Sequence, residues 1–341
     1  MADKMKKRHK WIGIVGLLVI AGILVIHYYT APREVVPEFV FTYAENQTED
    51  YPTTQAARRF AELVEERTDG RIRIVVHPEG ELGTENEVIR QMHYGGIDFA
   101  RVSLSQLAEY VPELNVLQMP YLYVDSDHMW KILDGEIGDS FLLRVRYNDL
   151  VGLSWYDAGT RNFYNSVKPI HTPADMVGMS IRVQESEVMV DMVEALGATA
   201  LPISYEEVYP YLQKGICDGA ENNWPSYEAM RHCNVAPYYT VDEHTRVPEM
   251  QICSAHTWEK ISTADRAVIL ECAAESAQYQ RQLWTEREEL ARQAALERGV
   301  EEIRLTAGEK KLFQDKMSEI YEKYCSDYMD IIDRIMEEGK K

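Results

Sequence analysis

The sequence predicts an α/β protein, on three observations. Short apolar runs alternate with stretches of helical periodicity along most of its 341 residues. The strand candidates are four to eight residues long, the length of buried α/β strands. Helix starts recur between them as a hydroxyl residue followed three positions later by an acid, the pattern in which each end returns the other's hydrogen bond.

In chain order, Phe39 to Tyr43 reads as a strand. Thr53 to Thr68 reads as a helix with Ala56, Phe60, Leu63 and Val64 on one face. Arg71 to His77 alternates Ile72, Ile74 and Val76 with polar partners, as a half-buried strand does. Thr84 with Glu87, Ser204 with Glu207 and Thr306 with Glu309 predict capped helices. Thr172 with Asp175 and Ser262 with Asp265 are shorter-armed versions, the first strengthened by Pro173. Ile97 to Leu104, Leu153 to Tyr156, Ser180 to Val183 and Ala198 to Pro202 are the remaining strand candidates. From Ala264 the pattern changes to two long helices, Ala264 to Arg298 and Glu309 to Glu338, packed across the outside of the body.

A formal net charge of −20 argues against a nucleic-acid partner, because nothing would neutralise phosphates. Residues 1–33 differ in sign: six basic groups and one acid give +5, leaving −25 for the rest. Lys4, Lys6, Lys7, Arg8 and Lys10 precede the apolar run Trp11 to Ile26, a basic flank before an export or anchor segment, which places the body outside the cytoplasm. Cleavage after Ala31 would leave Pro32 first in the mature chain, which favours an uncleaved anchor over residues 11–29. Five cysteines with no Cys-x-x-Cys spacing read as buried small side chains with at most one disulfide, and no metal ligand set or cofactor motif is present.

The stretch from Tyr156 to Asn222 carries the functional signal, with two arginines and an asparagine on strand ends and loops that face a common cleft. Arg182 is a charge inside the apolar strand Ile181-Arg182-Val183, and an unpaired buried charge is very costly. Either an internal carboxylate or a ligand must satisfy it. Arg161 and Asn222, in neighbouring strand-helix units, favour a small organic anion, because a guanidinium fork matches a carboxylate bidentately. Tyr205, in the first turn of the helix capped by Ser204, is the aromatic candidate, and Tyr156 stands with it. Glu85, Ser103 and Gln106 are loop ends placed to supply polar groups across the cleft. Arg101 is a third cation or a solvent-exposed residue. Signatures of serine hydrolases, phosphate loops and zinc peptidases are missing.

Gly159-Thr160-Arg161-Asn162-Phe163-Tyr164-Asn165, the segment Lys168-Pro169-Ile170 to Arg182-Val183, and Tyr205-Glu206-Glu207-Val208-Tyr209 leading into Asp218-Gly219-Ala220-Glu221-Asn222 together resemble one family. Gly95-Gly96-Ile97-Asp98 and Met119-Pro120-Tyr121-Leu122 extend the likeness. It is that of the DctP-type extracytoplasmic solute receptors of tripartite ATP-independent periplasmic (TRAP) transporters. The resemblance implies a two-lobed periplasmic-binding-protein-like fold with crossover strands and a long lobe-spanning C-terminal helix. It implies lobes of residues 35–158 plus about 247–286, and 159–246 plus about 287–338. Arg182 matches the arginine that clamps the ligand carboxylate, Arg161 its second cation, Asn222 the asparagine completing the clamp, and Tyr205 the aromatic lining. Sialic-acid receptors carry an acid where Ser103 falls, so a different acid is implied. Asn223-Trp224 stands where the family commonly has proline. The implied role is capture of a small organic acid, favoured as a uronate or other sugar acid, for a membrane permease, with no catalysis and no cofactor. A four-carbon dicarboxylate receptor, a sensing module for a membrane kinase and an exported hydrolase are the alternatives.

Overall fold

The computed structural model describes residues 36–340; the N-terminal basic and apolar segment lies outside the described residues. The chain first lays down β1 (Phe39–Ala44), β2 (Ile72–His77), β3 (Phe99–Ser103) and β4 (Leu150–Tyr156). It then crosses over to form β5 (Arg161–Asn165), β6 (Ser180–Val183), β7 (Thr199–Pro202), β8 (Gly219–Asn222) and β9 (Tyr238–Thr245). β10 (Glu249–Ser254) returns to the first group, and β11 (Glu301–Arg304) closes the second.

Two sheets result, in the orders β2-β1-β3-β10-β4 and β11-β9-β5-β8-β6-β7. In the first, β1 runs parallel to β2 and β3, while β10 inserts antiparallel between β3 and β4. In the second, β5 is antiparallel to β8 and β9, and β6 is parallel to β7 and β8. Strand β2 buries Ile72, Ile74 and Val76 and exposes Arg73 and Val75, the alternation of a strand covered on one face.

The backbone passes between sheets at residues 157–160 and 246–248, and both crossings end at the cleft. Gly159 makes the first of them in a left-handed conformation (φ +59°). A Cβ there would lie 2.5 Å from Glu288 Oε1 and 3.0 Å from Trp284 Nε1. Gly159→Ala is therefore expected to cost about 1–3 kcal/mol in chemical denaturation. A loss under about 0.5 kcal/mol would mean that the facing helix moves aside freely.

That helix, Thr263–Glu297, has 35 residues and runs about 50 Å. It packs on helix Pro52–Arg67 beside the first sheet and on helix Trp224–Ala229 beside the second, so it spans both lobes. Its buried face opens with Ile269, Cys272 and Ala273 and ends with Ala291 and Ala295. Ser262 caps it through the Asp265 N–H.

The capping boxes at Thr84 and Thr306 form as expected, and at Thr172 the Asp175 carboxylate accepts from the Thr172 N–H and hydroxyl. Ser204 differs. Its hydroxyl reaches Glu207 at 3.4 Å without capping a backbone N–H, and Tyr205–Glu207 is a 3-10 turn before helix Val208–Gln213. The second long helix is also corrected: it breaks into Ala307–Gln314, Ser318–Cys325 and Met329–Glu338. One straight rod could not wrap the body. The breaks let Phe313, Ile320, Cys325, Ile332 and Ile335 all enter the main core. The five cysteines are all buried and unpaired, so no disulfide forms.

Candidate functional site

A tight cavity of about 30 Å³ lies between the two sheets. Strand ends aim at it from both sides: Arg101 and Ser103 from β3, Glu249 from β10, Arg161 from β5, Arg182 from β6 and Asn222 from β8. Polar side chains bridge the two walls. Tyr205 Oη donates to Gln47 Oε1 at 3.1 Å, Gln184 Nε2 donates to Ser103 Oγ at 2.9 Å, and the Tyr51 and Ser226 hydroxyls are 2.9 Å apart. These bonds hold the cleft shut around the cavity.

Arg182 is 1% exposed. Its Nε donates to the Ile203 carbonyl at 2.8 Å, and both Nη1 and Nη2 are buried with no hydrogen-bond partner. Burial, with Arg161 nearby, holds its pKa below the ordinary arginine value even though Glu221 pulls the other way. Gln184 Oε1, Thr53 Oγ1 and Trp284 Nε1 are likewise buried without partners, and all belong to residues lining the same cavity. Unsatisfied buried polar groups are rare and costly, so four residues leaving such atoms at one cavity make it the candidate ligand site.

Arg161 is placed differently from the expectation of a free second cation. Its Nε and Nη2 grip the Glu221 carboxylate, Nη2 also reaches the Glu221 carbonyl at 2.9 Å, and Nη1 donates to Asn222 Oδ1 at 3.2 Å. Burial alone would raise the Glu221 carboxyl, but Arg161 and His244 reverse this and hold it at about 2. His244 lies between Glu221 and Asp242, 2.9 Å from the latter, and these partners raise its pKa against the pull of burial. Arg161 thus positions Asn222 and lines the cavity while its charge is already neutralised.

Arg101 is buried, not solvent-exposed. It donates to Glu45, to Glu85 at 3.1 Å and to Glu249 at 2.6 Å. Glu85 Oε1 also accepts the Ser103 N–H at 2.9 Å, which ties two predicted residues together.

Of the residues read from sequence, Arg182, Arg161, Asn222, Tyr205, Ser103 and Glu85 come together at the cavity, as does Gln106. Tyr156 does not. It ends β4 fully buried, with its hydroxyl 2.9 Å from that of Ser276 on the long helix, and it is not among the lining side chains. Trp224, Tyr227, Tyr239 and Tyr164 stack on one another as core. Asn223, where the family commonly has proline, caps helix Trp224–Ala229 by accepting the Ser226 N–H at 2.8 Å, and Pro225 supplies the fixed φ inside the first turn.

Sequence reasoning missed Gln184, Gln47, Asp157, Glu249 and Trp284. Gln184 had a signal: two residues past Arg182 along an extended strand end, it shares Arg182's face. Trp284 had none, because its role depends on where the long helix crosses Gly159.

The family model for bacterial extracellular solute-binding proteins, family 7 (DctP), matches residues 43–327. A solute-binding protein of Chromohalobacter salexigens is 37% identical over 281 residues, 82% of this chain and 83% of its own. The crystal structure of a TRAP periplasmic solute-binding protein from Bradyrhizobium sp. BTAi1, in complex with α/β-D-galacturonate, superimposes with a TM-score of 0.85. It is 36% identical, and the match covers 88% of this chain and all of that one. A second, from Chromohalobacter salexigens with bound D-glucuronate, gives a TM-score of 0.84 at 35% identity over 87% of this chain and 99% of that one. Members of this family are extracytoplasmic receptors, not enzymes. With the two-lobed fold, the cleft between its sheets and a match over most of its length, this chain belongs to the DctP family of bacterial extracellular solute-binding proteins.

Proposed function

We propose that the protein captures a hexuronate, D-glucuronate or D-galacturonate, and delivers it to a TRAP permease. The observation that carries this reading is the Arg182 guanidinium, buried at the cavity with both terminal nitrogens unpartnered. A ligand carboxylate accepting both N–H groups completes it, and the charge-assisted pair is strongest where water is excluded. Thr53, Gln184 and Trp284 then offer one hydroxyl, one acceptor and one donor to the hydroxyls of a sugar ring, and Asn222 completes the clamp. The bound uronates of the two solved relatives support the same class.

Capture proceeds by closure. The open cleft exposes Arg182 to solvent, the carboxylate pairs with it, and the Gln47–Tyr205 and Ser103–Gln184 bonds form as the walls meet. The lobes that move are residues 35–158 with about 247–286, and 159–246 with about 287–338, hinged at the two crossings. The basic N-terminal flank and apolar run over residues 11–29 serve export or anchoring at the membrane.

A thermal-shift titration tests the reading. A ligand present at about 100 times its Kd stabilises the folded state by about 2.7 kcal/mol, which for a chain of this size raises Tm by on the order of 5 °C or more. D-Glucuronate or D-galacturonate is expected to do this, and D-glucose, which lacks the carboxylate, to do nothing. The reading is lost if neither uronate moves the transition or if glucose moves it equally.

A further inference from the structure

The first-sheet wall of the cavity holds more negative charge than its own cation neutralises. Three carboxylates converge on Arg101: Glu45 from the end of β1, Glu85 from the first turn of helix Glu85–His93, and Glu249 from β10. A structural pair tying β3 to its neighbours needs one carboxylate. Glu45 supplies it, gripping Nε and Nη2, and is itself almost wholly buried. Glu85 and Glu249 share the single remaining nitrogen, Nη1, and both line the cavity. Asp157, at the first crossing, adds another lining carboxylate, already engaged by the Gly159 N–H at 2.7 Å and the Trp130 indole at 3.2 Å. Across the cavity, Arg161 is neutralised by Glu221, and Arg182 stands unpaired on the opposite sheet.

We propose that Glu85 and Glu249 are specificity-determining residues: they accept hydroxyl donors from the ligand and repel a second carboxylate, so that the receptor takes monocarboxylate sugars and refuses aldarates and dicarboxylates. This rests on the uronate reading and deepens it. A dicarboxylate needs a cation at each end. One end finds Arg182, and the other meets two carboxylates that share a cation already paired with Glu45. Like charges forced together in a desolvated cleft are the strongest discriminating device available to a binding site.

The wall is sensitive to pH in a defined direction. Burial raises the Glu85 and Glu249 carboxyls, opposed by Arg101, and the Glu249 charge adds to the rise at Glu85 as the Glu45 charge does at Glu249. The other charges facing them are Glu45, Glu206 on the turn before helix Val208–Gln213, and Arg161. As pH falls the pair takes up protons, its repulsion weakens, and each proton gained becomes a donor that a second carboxylate accepts. Selectivity is therefore greatest on the alkaline side.

Isothermal titration of the whole protein with D-glucuronate and with D-glucarate, an open-chain acid in which C1 is a second carboxylate, tests this, the glutamine variants separating the effect of charge from that of the lost ring. At pH 9, above the value of about 8 to which burial pushes the Glu85 carboxyl, the wild type is expected to bind glucuronate at least ~100-fold more tightly. Glu249→Gln and Glu85→Gln, both isosteric, are each expected to cut that ratio by ~10-fold. The wild-type ratio is also expected to shrink as pH is lowered from about 9 to about 5.5. Comparable affinity for both acids in the wild type, or a ratio that neither glutamine nor pH moves, overturns the proposal while leaving uronate capture intact. A wild type that binds no glucuronate overturns both.

Discussion

Replacing Arg182 with leucine is expected to weaken uronate binding at least a thousandfold and to stabilise the closed cleft of the ligand-free protein. Removing one partner of a buried, hydrogen-bonded charge pair costs on the order of 2–5 kcal/mol of binding, and the upper part of that range corresponds to a thousandfold or more. The stability half of the prediction comes from the cavity. In the closed cleft Arg182 keeps one internal bond, to the Ile203 carbonyl, and leaves two N–H groups buried with nothing to accept them. Losing the one bond costs about 1 kcal/mol. Removing an uncompensated buried charge returns more than that, for a net gain of about 1–2 kcal/mol. Arg182→Lys separates charge from geometry: it keeps the cation, loses the fork and should fall between wild type and leucine. Calorimetric titration and scanning calorimetry on the three proteins decide it. A leucine variant that binds uronate within about tenfold of wild type, or that melts several degrees lower without ligand, would show that the guanidinium serves the fold and not the ligand.

The contrast between Arg182 and Arg161 shows how far the sequence could be read. Both are arginines in short strands; the sequence left Arg182 a choice between an internal carboxylate and a ligand and read Arg161 as a second cation for the ligand. The structure pairs Arg161 with an internal carboxylate and leaves the terminal nitrogens of Arg182 without a partner. Arg161 finds Glu221 because β5 and β8 are adjacent and antiparallel, with Phe163 opposite Glu221 and Asn162 opposite Asn222. Arg182 sits on β6 beside β8 in a parallel register opposite Ala220, which offers no carboxylate. Register between strands this far apart in the chain leaves no local trace, so the distinction was invisible in the sequence. The same limit hid β5, β8 and β10, whose sequences Arg-Asn-Phe-Tyr-Asn, Gly-Ala-Glu-Asn and Glu-Met-Gln-Ile-Cys-Ser mix charge and amide with apolar side chains. Strands that carry a binding site on their ends break the alternation by which strands are recognised. Strands β1 and β2, which only build the core, were legible to within a residue or two, and so was β6, whose apolar neighbours Ile181 and Val183 keep its pattern although it carries Arg182. The long helix was legible for the opposite reason: its caps and periodicity are local. Its continuation was not, because the turns that break residues 307–338 into three helices are imposed by the core they wrap.

The Arg161–Glu221 pair predicts the largest loss of stability from a single substitution. Glu221→Gln leaves the Arg161 guanidinium fully buried with an amide and a carbonyl where its counter-charge stood, and breaking a buried pair from one side costs about 3–5 kcal/mol. For a chain of this size that lowers Tm by on the order of 10 °C. The pH dependence fixes the cause. The Glu221 carboxyl is held at about 2 in the folded protein, against 4.5 for a free glutamate. An acid whose folded pKa is depressed stabilises the fold above its unfolded pKa, and loses that contribution as pH falls toward the folded one. The wild-type advantage over Glu221→Gln should therefore decline below about pH 4.5 and vanish near pH 2, and it should also shrink as pH rises past the ordinary histidine value, because Glu221 helps hold the His244 proton. Glu85 works in the other direction, because its carboxyl is raised by burial and its contribution fades as pH rises. The acid limb can thus be assigned to Glu221 without interference from the cavity wall. The double replacement Arg161→Leu with Glu221→Leu removes both charges at once, and it should recover much of the loss, since a buried pair exchanged for apolar side chains is often close to neutral. If the double variant is as unstable as the sum of the singles, the pair is not coupled. Arg161 would then be held by Asn222 and the Glu221 carbonyl, and its positive charge would be free to join Arg182 at the ligand.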